Sequence, residues 1–108
     1  MRLSVETQKA IQQAAEKTLT SLKTWKIWLY GSRANPQKKG GDIDLCIETE
    51  SIPKNSSTLI SKFRTALLKD IGEQKVDIVF LASINPDKLV ESLLAEGKVL
   101  LCQNRPKP

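Results

Sequence analysis

The 108 residues carry 17 Lys and Arg against 12 Asp and Glu, a formal net charge of +5, with 40% hydrophobic residues and no histidine. That is chain enough for one domain with a modest core, and no apolar run reaches the length that crosses a bilayer, so a soluble cytoplasmic protein is expected. The lack of histidine excludes Ser-His and Cys-His nucleophile pairs and most zinc sites, leaving carboxylates, Lys, Arg, hydroxyls and a hard metal for any chemistry.

In chain order, residues 4–22 place Ala10, Ile11, Ala14, Ala15, Leu19 and Leu22 at three-and-four spacing, an amphipathic helix with Ser4 as its N-cap. "WKIWLY" (25–30) is aromatic and β-branched and ends at Gly31, a strand running into a turn; Trp25, Trp28 and Tyr30 read as strand and core residues. "NPQKKGG" is loop punctuation. "DIDLCIE" (42–48) alternates, so Ile43, Leu45 and Ile47 face one way and Asp42, Asp44 and Cys46 the other.

Leu59, Ile60, Phe63, Ala66, Leu67 and Ile71 mark a second helix, capped by Ser56 or Ser57 and ended by Gly72. "KVDIVFL" (75–81) reads as a strand covered on both faces, interrupted by Asp77. A third helix is expected with Asn85 as N-cap, Pro86 at the first helical position, Leu89, Val90, Leu93 and Leu94 as the buried stripe, and Gly97 as its stop. "KVLLC" closes as a strand. The expected fold is α/β in the order α-β-β-α-β-α-β, a mixed sheet of about four strands with about three helices, in a single domain over residues 1–102 and a flexible tail at 103–108. Cys46 and Cys102 lie in apolar runs without a partner at metal-ligand spacing and read as buried thiols. The basic residues are scattered, which makes nucleic acid an unlikely partner; a solvated surface is the simpler reading.

The carboxylates carry the functional signal. Residues i and i+2 of a strand project from one face roughly 6.6 Å apart. Two charges at that spacing repel by about 2.5 kcal/mol at an effective dielectric near 20, a large share of the roughly 5–15 kcal/mol that holds a domain folded. A divalent cation offsets this, and Mg²⁺ favours hard oxygen ligands. Asp77, alone and polar in an apolar strand, is costly unless paired or metal-bound. If its strand lies parallel to that of Asp42, both approach from N-terminal ends and converge. Three carboxylates around two metals suit in-line displacement at phosphorus. Gly31, Ser32 and Arg33 on the preceding turn would hold phosphate through backbone N–H groups, a hydroxyl and a guanidinium.

"GSRA", "GGDIDL" and "VDIV" in this order resemble the minimal nucleotidyltransferase domains of the DNA polymerase β superfamily, and the likeness spans nearly the whole chain. The resemblance implies magnesium-dependent transfer of a nucleoside monophosphate from ATP or another NTP to a hydroxyl, releasing pyrophosphate. Gly31 and Ser32 would hold the triphosphate, with Arg33 beside them; Asp42 and Asp44 would bind both metals, and Asp77 would bind the catalytic metal and help deprotonate the acceptor. It further implies an antitoxin paired with a small helical HEPN-type protein, some members AMPylating that partner on tyrosine. A homo-oligomer is the other expected assembly, since no second domain is left to dock the acceptor. The alternative function is a catalytically weak nucleotide-binding module that neutralises a toxin by binding alone.

Overall fold

The computed structural model describes residues 3–31, 42–95 and 97–104, the side chain of Leu93 excepted. Its elements are α1 (Val5–Thr18), β1 (Lys26–Tyr30), β2 (Ile43–Thr49), α2 (Ser56–Ile71), β3 (Val76–Ala82), α3 (Lys88–Ala95) and β4 (Lys98–Gln103), in the expected α/β order. The four strands form one mixed sheet in the order β3-β2-β1-β4. β1 runs antiparallel to β2 and β4, whereas β2 and β3 are parallel, as their connection through a whole helix requires.

Alternation along the strands divides the sheet into two faces. Ile27, Leu29, Ile43, Leu45, Ile47, Val76, Ile78 and Phe80 turn to one side and are buried against Ala10, Ile11, Ala14 and Ala15 of α1 and Leu59, Phe63 and Leu67 of α2. The opposite face carries Tyr30, Cys46 and Leu81 beneath Leu94 of α3, flanked by half-buried Trp28, Val79 and Val90. A short third helix covers only part of this second face. β3 is therefore not covered on both sides along its length: Asp77 is exposed and Val79 half-buried, and full cover is reached only at Leu81.

Local chemistry explains most of the boundaries. Ser4 caps α1 as expected, its hydroxyl accepting from Thr7 N at 3.1 Å. α1 ends at Thr18 rather than 22, with buried Leu19 as its C-cap. α2 begins at Ser56 after Asn55, so neither Ser56 nor Ser57 caps it, and Gly72 at φ +81° stops it by donating its N–H to Leu68 O at 2.9 Å. In α3 the cap is Asp87, whose carboxylate accepts from Leu89 N at 2.7 Å. Asn85 sits at φ +54°, in the left-handed region that a turn uses and an N-cap does not. Leu89, expected in the buried stripe, is 77% exposed; Val90 and Leu94 supply the contact.

The C-terminal boundary also moves. Gln103 belongs to β4, and Asn104 is tied down: its side chain accepts from Trp25 N at 2.8 Å and donates to Lys23 O at 2.7 Å, while its own N–H donates to Trp25 O at 3.1 Å. Residues 105–108 of the expected tail lie outside the described residues. Asn104 thus staples the entry of β1 to the exit of β4. Its replacement by Ala removes two side-chain hydrogen bonds and should lower unfolding free energy by about 1–2 kcal/mol in a denaturant titration, with the slope unchanged.

Candidate active site

The site is built by the register of two parallel strands. Asp44 of β2 stands directly opposite Asp77 of β3, and one step before the ladder's first pair, Ile43 and Val76, lie Asp42 and Lys75. Ile43 N donates to Lys75 O at 3.2 Å, which extends the strand pairing to that step. Arg64 of α2 donates to Val76 O at 3.3 Å and fixes the start of β3 from the other side. The partner nearest Asp77 is therefore Asp44, not Asp42. Asp42 instead meets Lys75, Nζ to Oδ2 at 3.4 Å, both side chains well exposed.

The costly burial of Asp77 expected from its apolar surroundings does not occur, because it sits at the open end of its strand. The strain lies on Asp44. Partial burial first, then the charges of Asp77 and Asp42 and hydrogen-bonding reach to Asp77, hold its carboxyl above the usual carboxylate range, with Lys75 acting the other way. Tyr30, paired with Asp44 across β1 and β2, has its phenol pushed up to about 12 by burial and by Asp44, Cys46 and Asp77. It stays a neutral donor on the wall of the site. Cys46 and Cys102 are both free, and burial pushes each thiol to about 12, which removes them as nucleophiles.

Gly31 closes the arrangement from β1. Its φ is +76°, and a Cβ placed there would come within 2.5 Å of Asp44 Oδ2. Only glycine lets the turn's backbone lie against that carboxylate. Ser32 and Arg33 lie outside the described residues. A cleft of about 530 Å³ opens on the same sheet face between α3 and the far ends of β2 and β3, lined by Glu48, Leu81, Leu94 and Lys98, away from the aspartates.

The donor set suits a hard divalent cation: three carboxylates, no soft ligand among them, and like charges facing one another. Among the described residues no three Asp, Glu, Cys or His side chains are gathered closely enough to hold an ion as they stand. Asp42, engaged by Lys75, is not gathered with Asp44 and Asp77 into such a group. Lys75 is the residue the motif reading passed over; its signal was the spacing "KVD", which puts a lysine on the face of Asp77 as "DID" puts Asp42 on the face of Asp44.

A family model described as Polymerase beta, Nucleotidyltransferase matches residues 9–106. The chain belongs to the polymerase β nucleotidyltransferase family. The mixed sheet with three helices is the fold expected of such a domain. A search of curated proteins found no match. Among the described residues no helix is long and apolar enough to cross a membrane.

Two outcomes follow from the geometry. Because the folded Asp44 holds its proton to higher pH than the unfolded chain does, its contribution to stability is complete below about pH 4 and is lost as pH rises through the raised value. Asp44→Asn should therefore stabilise the metal-free protein at pH 7, by at most about 1 kcal/mol given its exposure. In thermal melts the gain should vanish below pH 4. Gly31→Ala should lower stability by about 1–2 kcal/mol, measured by denaturant titration, through backbone strain and displacement of Asp44.

Proposed function

We propose that the protein is a magnesium-dependent nucleotidyltransferase that moves a nucleoside monophosphate, AMP from ATP, onto a hydroxyl of a partner protein in the cytoplasm. The observation that carries this reading is the Asp44–Asp77 pair, two like charges held face to face by strand register against the Gly31 turn. A metastable arrangement of that kind is expected where a cation belongs.

In this mechanism Asp42, Asp44 and Asp77 would hold two Mg²⁺ ions, which would supply neutralisation of charge on the attacking oxygen, the phosphates and the leaving group. The Gly31 turn, with Ser32 and Arg33 beyond it, binds the triphosphate and aligns its α-phosphorus for in-line attack. Asp77 accepts the proton of the acceptor hydroxyl as the new oxygen–phosphorus bond forms. The bond to the β-phosphate breaks on the opposite side, and Arg33 steadies the departing pyrophosphate. Buried Tyr30, opposite Asp44 in the β1–β2 pairing, walls the site on the β1 side.

A partner's hydroxyl as acceptor is what the resemblance to minimal nucleotidyltransferase domains implies. The family resemblance favours a small helical HEPN-type protein as that partner and an antitoxin role, with a homo-oligomer as the other assembly. One observation favours the binding-only alternative: Asp42 is engaged by Lys75, so the ion cage is not preassembled.

Incubation with ATP labelled at the α-phosphate, Mg²⁺ and the protein encoded next to this chain should label that protein. Asp42→Asn combined with Asp44→Asn should bring labelling to background. Equal labelling by the double variant overturns the transferase reading, and equal protection of cells by it with no labelling supports binding alone.

A further inference from the structure

The strand ladder brings four charged residues into two cross-strand pairs, Asp42 with Lys75 and Asp44 with Asp77. The backbone of Lys75 is pinned by its carbonyl to Ile43 N at 3.2 Å, between the two aspartates of β2. Its side chain is not pinned: it is 70% exposed and meets a carboxylate that is itself 43% exposed. An ion pair so open to water holds little of the fold together. It sits, however, at the mouth of the site, where it sets the charge balance.

One ammonium among three carboxylates is attracted to all of them and neutralises only one. A divalent cation binding Asp42 and Asp44 competes with Lys75 for Asp42, since an ammonium and a metal on the same carboxylate repel each other. The displaced lysine cannot leave, because its backbone remains in the ladder. Set free from Asp42 by the metal, its ammonium is drawn to whatever negative charge remains at these strand ends, which with a nucleotide bound is that of the phosphates. A lysine on a flexible stem suits that exchange, being a strongly hydrated point charge that needs no fixed fork geometry.

Resting on the nucleotidyltransferase reading, we propose that Lys75 is an exchangeable counter-cation: it occupies Asp42 in the metal-free protein and passes to the donor's phosphates when metal and nucleotide bind. The lysine thereby has opposite effects on two ligands of one site. It opposes free metal and assists the metal–nucleotide complex.

The test measures both affinities on the intact protein, Mn²⁺ alone by electron paramagnetic resonance and Mg²⁺ with the α,β-methylene analogue of ATP by calorimetry. Lys75→Gln should bind Mn²⁺ about fivefold more tightly than wild type and the nucleotide complex about fivefold more weakly, the upper range for an exposed charge pair. Lys75→Arg should keep both wild-type affinities to within about twofold, and Lys54→Gln, the same charge change in the loop before α2, should leave both unaltered. Changes of the same sign for both ligands in Lys75→Gln, or no change in either, overturn the exchange while leaving the metal site standing. Wild-type protein that takes up neither Mn²⁺ nor nucleotide overturns the exchange together with the transferase reading.

Discussion

The parallel register of β2 and β3 is the constraint on which the site depends. Pairing Ile43 with Val76 fixes Asp44 against Asp77 and Asp42 against Lys75, and a slip of β3 by one residue would send Lys75 and Asp77 to the other face. What holds the register is remote from the chemistry. Ile43, Leu45 and Ile47 of β2 and Val76, Ile78 and Phe80 of β3 are driven into the core beneath α1 and α2, where their alternation admits no one-residue shift. The apolar face positions the charged one.

This division accounts for how a 108-residue domain tolerates like charges in contact. The larger cluster lies wholly on one side of the sheet and contains the fully buried Ile11, Leu19, Ile27, Leu29, Leu45, Ile47, Phe63 and Leu67. Each such side chain contributes about 1.5–3 kcal/mol on burial, against a repulsion of about 2.5 kcal/mol or less between partly solvated carboxylates. The repulsion also falls at the open end of the strands, where water screens it. Metal binding would remove a penalty that the core already carries.

Much of this was legible in the sequence because period two and period three-and-four hydrophobic patterns are set by each element alone. The element order, the buried residues of α1 and α2, the Ser4 cap, the Gly72 stop and the common face of Asp42 and Asp44 follow from such local rules. The errors arose where tertiary structure decides. Asp77 was expected to be buried because its neighbours are apolar, yet α3 is too short to reach over it. Asn85 and Pro86 satisfy a turn as well as a helix start, and Asp87 two residues on makes the actual cap. Asn104 looks like part of a tail because its partners, Lys23 and Trp25, lie at the other end of the sequence.

Lys75 shows where motif reading stops and register begins. A motif names candidate ligands, but a counter-charge can come from any strand position that the ladder sets beside them. Once β2 and β3 are parallel and Ile43 faces Val76, the residue opposite Asp42 is fixed, and its charge bears on every ion that enters. A neutral residue there would leave three carboxylates uncompensated in the absence of ligand; a lysine gives the metal-free site a weak internal cation. The same pairing that concentrates negative charge therefore supplies its first counter-ion, with a strength low enough for a divalent ion to displace it.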